Sequence, residues 1–278
     1  MKSGMVKAGA SALLGLCVFS LGWSQGQGGA GNTAPAQEQV QPGTPAAAPA
    51  PTVTKEELDA YNKFVADTKA ASDARQKISL GEGFLAAYPN SMYAGTVYGQ
   101  LALNYLNVND VEKMIAAGEK ALASDPNNVD VLPLMALAIP RRNGTSAQQL
   151  EVAMNYAKRA INLLSTMPKP AEMDDAIFAR LKNEKLAQCR SGMGTAYFKT
   201  GQYDEAVTEL SQAVRLDPNP DPVDYYVLGL SNERGSHFTD AVAAFDKCAS
   251  IQSSLQPNCR NLSTETKKKA ANSLEVPR

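Results

Sequence analysis

The sequence predicts an all-α protein, a right-handed superhelical array of about five antiparallel helix pairs. Apolar and alanine residues recur at helical spacing from Thr54 to about Ile251, and Gly, Asn, Asp or Pro interrupts that spacing at intervals that suit one helix each. The composition, 44% hydrophobic but only 6% aromatic, favours a helical core over a β-sandwich. A residue pattern also returns after 35 positions, and self-similarity at this period is typical of stacked helical hairpins.

Residues 1–24 have the three parts of a secretory signal peptide. Lys2 and Lys7 flank the start of an apolar run over residues 8–21, and small residues allow cleavage after Ser24. An uncleaved anchor is the alternative, but the run is shorter than the roughly 20 residues that a bilayer-spanning helix needs. Acylation of Cys17 as an outer-membrane lipoprotein is a further alternative, although bulky Leu16 precedes it. The leader predicts an exported protein, periplasmic or secreted, with no integral membrane span after cleavage.

A linker and a first helix pair follow the leader. Residues 25–53 are nearly all Gly, Ala, Pro, Gln or Thr, with Glu38 as the single charge, and this composition predicts a disordered tether. Thr54 and Glu57 have the spacing of a capping box, so we expect the helical-repeat domain, residues 54–259, to begin there. Helices over 56–68 and 73–88 form the first pair, which ends at Pro89.

Two further pairs and an insertion occupy the middle of the chain. The second pair ends at Asp125-Pro126, and the third begins near Val129 and has a long turn over residues 141–145. Residues 165–186 interrupt the repeat, and Ile177, Phe178 and Leu181 share one helical stripe there. We expect this helix to continue into the fourth pair as one unusually long first helix. A separate short helix is the alternative.

The fourth pair carries the clearest repeat pattern. Small residues stand where two helices cross closely, aromatic residues fill holes, and a proline ends the second helix: Gly194, Tyr197, Gly201, Tyr203, Ala206, Leu210, Ala213 and Pro218. Residues of similar type recur at the same spacing in the fifth pair: Gly229, Asn232, Ser236, Phe238, Ala241, Phe245 and Cys248. This pattern resembles the 34-residue signature of the tetratricopeptide-repeat (TPR) family. Arg190 departs from the signature's first aromatic position, which Tyr225 fills in the next unit.

The C-terminal region combines a cysteine pair with a polar segment. Cys248 and Cys259 are close enough in sequence to form a disulfide in an oxidising compartment, with Cys189 left buried and free. Three reduced, buried cysteines are the alternative. Residues 260–278 are predicted to be a polar tail with at most one marginal helix, over 263–274.

The residues predict no catalytic, cofactor-binding or metal-binding site, and therefore a non-enzymatic protein. His237 is the single histidine, which excludes an HExxH metal site, and the cysteines lack CxxC spacing. Without Lys2 and Lys7 the chain has 25 basic and 28 acidic residues, a net charge of −3. No nucleic-acid partner is expected from that charge.

The resemblance implies a protein–protein interaction scaffold whose first helices line a concave groove for a peptide or helix. The signature places these groove residues: Leu103, Leu106, Ser191, Thr195, Phe198, Tyr226, Leu230 and Glu233. Some members hold a terminal carboxylate with a clamp of Lys, Asn and Arg, and this clamp is absent here. Alternatively, a neighbouring repeat or the tail covers the groove side chains. The predicted role is an adaptor in the bacterial cell envelope. An outer-membrane assembly or secretion component and a substrate-docking subunit of an enzyme complex are the alternatives.

Overall fold

The computed structural model describes residues 53–274, which form eleven α-helices and no strand. Ten helices make five consecutive pairs: α1 (Lys55–Ala70) with α2 (Ala74–Ala87), α3 (Ala94–Asn107) with α4 (Val111–Ser124), α5 (Val131–Arg141) with α6 (Ala147–Thr166), α7 (Asp175–Lys199) with α8 (Tyr203–Leu216), and α9 (Pro222–Arg234) with α10 (Phe238–Ser250). The last helix, α11 (Gln256–Leu274), packs on α10. The prediction of five stacked pairs is confirmed, whereas the signal peptide and nearly all of the linker lie outside the described residues.

The first pair is held by aromatic residues, which explains why it matches the repeat signature poorly. Tyr61 stacks on Tyr93 with 3.9 Å between ring centroids, and Phe64, Phe84 and Tyr88 pack around them. Thr54 caps α1, but only half of the expected capping box forms there. The carboxylate of Glu57 instead accepts a hydrogen bond from the Ser91 hydroxyl at 2.6 Å.

Three pairs share the same turn between their two helices. The turn residue has a positive φ in each pair, 59° at Asn109, 79° at Gly201 and 63° at Ser236. The following backbone N–H donates to the carbonyl five residues earlier in each case: Asp110 to Tyr105, Gln202 to Tyr197 and His237 to Asn232. These bonds fix which positions of the second, fourth and fifth pairs are structurally equivalent.

Glycines mark the closest approaches between helices. A methyl group at Gly194 would lie 2.5 Å from a side-chain carbon of Leu210, and one at Gly229 would lie 2.5 Å from the ring of Phe245. Gly192 is tighter, because a methyl group there would overlap the backbone carbonyl oxygen of Ala136 in α5 and lie 2.6 Å from its carbonyl carbon. The backbones of α5 and α7 therefore touch at Gly192.

The long first helix of the fourth pair is confirmed as α7, which has 25 residues. Asp174 caps its start and accepts hydrogen bonds from the N–H groups of Ala176 and Ile177, so α7 begins at Asp175, within the insertion. Its contacts with α6 support the N-terminal extension, where Ile177 stays 48% exposed.

The C-terminal segment is a helix that ends at Leu274, the predicted end of the marginal helix, but it begins earlier than predicted. Because α11 starts at Gln256 and not near Ser263, it includes Cys259, which the structure joins to Cys248 of α10 in a disulfide with 5.9 Å between the Cα atoms. Cys189 is buried and free. The helix buries small polar side chains against the array, Ser263 at 2% exposure and Thr266 at 0%.

The apolar core of the described chain has two parts. One cluster of buried residues runs from α1 to α7, and the other lies among α8, α9 and α10. Tyr197 of α7 packs against both clusters. The boundary between them therefore passes through the fourth pair.

Candidate binding face on the first helices

The predicted groove residues lie on three first helices, but they differ in how much of each side chain a ligand can reach. Five apolar or aromatic residues are partly exposed: Leu103 and Leu106 on α3, Phe198 on α7, and Tyr226 and Leu230 on α9. Ser191 and Thr195 are buried in α7, at 1% and 5% exposure. Neither hydroxyl group is presented to solvent, so the accessible part of this face is apolar.

Ser191 belongs to a polar cluster, here called the Arg141 clasp, that links α5, α7 and α9. The Arg141 guanidinium donates to Asp221 at 2.6 Å, to Asp224 at 2.7 Å and to the Ser191 hydroxyl at 3.1 Å. The Ser191 hydroxyl in turn donates to Asp224. The clasp joins the third, fourth and fifth pairs across the boundary between the two apolar clusters.

Burial and charge act in opposite directions within the clasp. Burial disfavours the charge on Arg141, but the carboxylates of Asp224 and Asp221 outweigh it and hold the pKa of the guanidinium above its ordinary value. Burial also raises the pKa of Asp224, against the opposing effect of Arg141 and the Ser191 hydrogen bond. Two buried polar atoms nearby, Nε of Arg141 and Oγ1 of Thr195, have no hydrogen-bond partner.

Glu233, predicted to lie in the groove, is held by the C-terminal helix. Lys269 of α11 forms an ion pair with its carboxylate at 2.6 Å, and the Thr266 hydroxyl lies 3.4 Å from the same oxygen. The Glu233 side chain keeps 13% exposure. Helix α11 thus covers the groove position that Glu233 would supply, as the alternative of a covering tail predicts for this residue.

The partly exposed apolar residues sit at the edges of the two clusters. Leu103 and Leu106 pack against the first cluster, whereas Phe198 and Tyr226 pack against the second. The Phe198 ring lies 5.9 Å from the Tyr203 ring, between centroids. Each side chain therefore has one packed side and one side open to a partner.

Sequence reasoning missed Arg141 because the repeat signature has no arginine there and the third pair matches it weakly. It also left the substitution at Arg190 unexplained. Arg190 forms a two-pronged ion pair with Glu209 of α8, at 2.8 and 3.1 Å. In the second pair, Tyr98 holds the equivalent position and lies under Lys120, 4.8 Å from the ring centroid.

Reactive groups within residues 53–274 do not converge on a site. Burial raises the pKa of the Cys189 thiol to about 12, so the thiol stays protonated at neutral pH. His237, just before α10, lies 3.9 Å from Asp204 in the first turn of α8, and both side chains are exposed. No group of three His, Cys, Asp or Glu side chains in this part of the chain has the arrangement of a metal site. No described helix is both long enough and apolar enough to cross a bilayer.

The stacked pairs, shared turns and glycine crossings define a helical-repeat protein, an α-solenoid. Family models for "TPR repeat" and "Tetratricopeptide repeat" match residues 194–233 and 95–128, which are the fourth-to-fifth and second units. These two matches identify tetratricopeptide repeats within the chain and support a TPR protein, and its fold is that of a protein–protein interaction scaffold. A comparison with curated protein sequences gave no match.

Solved TPR structures are similar to the chain at low sequence identity. YrrB, described as a TPR protein with an unusual peptide-binding site, is 18% identical with a TM-score of 0.50, over 77% of this chain and 94% of its own. MamA from Desulfovibrio magneticus RS-1 is 14% identical with a TM-score of 0.48, over 72% of this chain and 97% of its own. The likeness to YrrB concerns the fold alone.

Proposed function

We propose that this chain is a non-enzymatic scaffold of the bacterial cell envelope that binds the apolar side of a partner peptide or helix on its first helices. The observation that carries the proposal is the set of partly exposed apolar side chains on α3, α7 and α9, of which Phe198, Tyr226 and Leu230 are the C-terminal members. Ser191 and Thr195 are left out of the binding face because the array buries them.

The chemistry of these side chains suits an apolar ligand. Removing apolar surface from water contributes about 25 cal/mol per Å², and aromatic residues dominate the binding energy of many interfaces. Phe198 and Tyr226 already pack on one side against the second cluster, so little side-chain entropy is lost when a partner covers the other side. They are therefore the expected anchors.

Two further facts support the proposal. YrrB, which has the same fold, is described as having a peptide-binding site. The leader at residues 1–24 has the charge and apolar pattern of a secretory signal, which supports export to the envelope. Intact-mass analysis of the protein from the cell envelope tests export, because loss of 24 residues is expected and an uncleaved chain contradicts it.

The proposed binding face is tested by crosslinking the natively exported protein and identifying its partners by mass spectrometry. A Phe198→Glu, Tyr226→Glu double variant is expected to lose these partners. The partner would have to bury the two new carboxylates, and burying an unpaired charge is costly. Circular dichroism confirms that the variant is folded.

A matched control places two glutamates on exposed apolar residues elsewhere. Met92 and Ile177 are 61% and 48% exposed, so a Met92→Glu, Ile177→Glu variant adds the same charge away from the proposed face. It is expected to retain the partners. Partners that persist with the first variant would place binding elsewhere.

A further inference from the structure

A cleft of about 340 Å³ lies between α8, α9 and α10, away from the proposed binding face. Val207, Leu228 and Ala244 supply apolar walls, and Ser211, Asp240 and Lys247 supply polar groups. Its size is at the lower end of the roughly 300 to 1,000 Å³ that is usual for ligand pockets. The cleft belongs to the fifth pair and to the second helix of the fourth.

The cleft corresponds to a space that a tyrosine fills in the second pair. Tyr105 is only 6% exposed there. Its hydroxyl donates to Glu82 of α2 at 2.5 Å, and Lys113 of α4 lies 5.5 Å from the ring centroid. The tyrosine thus lies between the second helix of the preceding pair and the second helix of its own pair.

The residues equivalent to Tyr105, Glu82 and Lys113 all line the cleft. The shared turn makes Asn232 the counterpart of Tyr105. Counted from the helix starts, Ser211 in α8 corresponds to Glu82 in α2, and Asp240 in α10 corresponds to Lys113 in α4. The repeat is therefore preserved around the cleft, but the ring of Tyr105 has no counterpart there.

Asn232 does not fill the space that the ring leaves. Its amide group donates to the carbonyl of Leu228 at 3.1 Å, one turn back in the same helix. The side chain is thus held against α9, so the apolar walls formed by Val207, Leu228 and Ala244 surround an open cleft.

We propose that this cleft binds an aromatic side chain, tyrosine in particular, of a partner polypeptide. The ring would take the position that Tyr105 takes in the second pair, between two second helices. Ser211, the counterpart of Glu82, provides an acceptor for a phenol hydroxyl where Glu82 provides one for Tyr105. The cleft would be a second docking point, separate from Phe198 and Tyr226.

The test is an amide NMR titration of the full chain with N-acetyl-L-tyrosinamide. We expect saturable shifts at Leu228, Asn232 and Ala244, with dissociation constants on the order of millimolar for so small a probe. N-acetyl-L-alaninamide should leave these residues unshifted. A pentapeptide with a central tyrosine should bind at least as well. If the pentapeptide does not bind, the ligand is a small phenol and not a polypeptide side chain, which overturns the proposal.

An Asn232→Tyr variant restores the missing ring and should weaken probe binding at least roughly tenfold, a change of about 1.4 kcal/mol. It should also raise the melting temperature, because the new ring fills existing space. Should this variant fail to fold, Ser211→Phe blocks the cleft from the surface of α8 and must have the same effect on binding.

Tyr105→Asn is the matched variant, since it should open an equivalent cleft in the second pair. A second set of shifts is then expected at Leu101 and Ala117, the counterparts of Leu228 and Ala244. Shifts confined to Phe198 and Tyr226, or probe binding unchanged by both blocking substitutions, would overturn the proposal.

Discussion

At the scale of single residues, the closest contact in the array is one that the repeat signature does not contain. The signature predicts Gly194 and Gly229, and each faces a side chain of its own pair, Leu210 and Phe245. Gly192 faces the backbone of Ala136 in the neighbouring pair. A side chain can rotate away from an added methyl group, whereas two packed helix backbones cannot separate without loss of the interface.

Gly192→Ala is therefore expected to destabilise the chain by about 2 kcal/mol, the usual range for overpacking, despite the better helix propensity of alanine. Urea unfolding followed by circular dichroism measures the change. Gly83→Ala in α2 is the matched control, because a methyl group there meets nothing within 4 Å. The control should gain up to about 1 kcal/mol. Equal effects of the two substitutions would show that α5 and α7 are not in backbone contact.

At the scale of whole helices, α7 follows from the sequence and α11 does not. A continuous apolar stripe predicts α7, because its N-terminal extension has residues with helical spacing. Helix α11 has few apolar residues and buries Ser263 and Thr266 instead. Besides the disulfide, α11 is held by bonds to Glu233 and Asp246 on other helices, and no local pattern encodes such bonds.

The attachment of α11 is expected to weaken in acid. The Ser263 hydroxyl, with Lys267 beside it, donates to Asp246 and lowers the pKa of this carboxyl below the ordinary 3.8. A lowered folded-state pKa means that the unfolded chain binds protons first. The contribution is complete above the ordinary value and is lost as the pH falls through the folded-state value.

Asp246→Asn should therefore lower the melting temperature at pH 7, and the difference from wild type should shrink as the pH falls below the ordinary carboxyl pKa of 3.8. Thermal unfolding over this pH range checks the prediction. Ser263→Ala removes the donor of the same hydrogen bond, so the two substitutions should be clearly less than additive. A constant difference at every pH would show that the Asp246 charge does not hold α11.

At the scale of the whole molecule, the sequence predicts the repeat architecture but only part of the binding face. Equivalent small and aromatic residues specify each helix pair, so pair order and turn position follow from local pattern. Accessibility depends on neighbouring pairs. Ser191 is in the predicted phase, yet Arg141, 50 residues earlier, buries it within the clasp. Such a contact between pairs cannot be inferred from one repeat.

The clasp and the disulfide act on different parts of the array. Arg141 links three consecutive first helices across the boundary between the two apolar clusters, whereas the disulfide fastens the last helix to the fifth pair. In a solenoid each pair is stabilised mainly by its neighbours, so a terminal helix with a polar outer face protects the pair beneath it. Loss of α11 would therefore uncover α10 first.

A Cys248→Ser, Cys259→Ser variant is expected to lose a little under about 3 kcal/mol, the chain-entropy value for so short a loop. Hydrogen exchange should show protection lost first in α10 and α11, with α3 to α5 unchanged. Thiol titration under denaturing conditions should find two fewer thiols in the oxidised chain than after reduction. Cys189→Ala is the control, since it removes a buried thiol without affecting the bond. Equal thiol counts before and after reduction, with uniform loss of protection, would mean that packing alone holds α11.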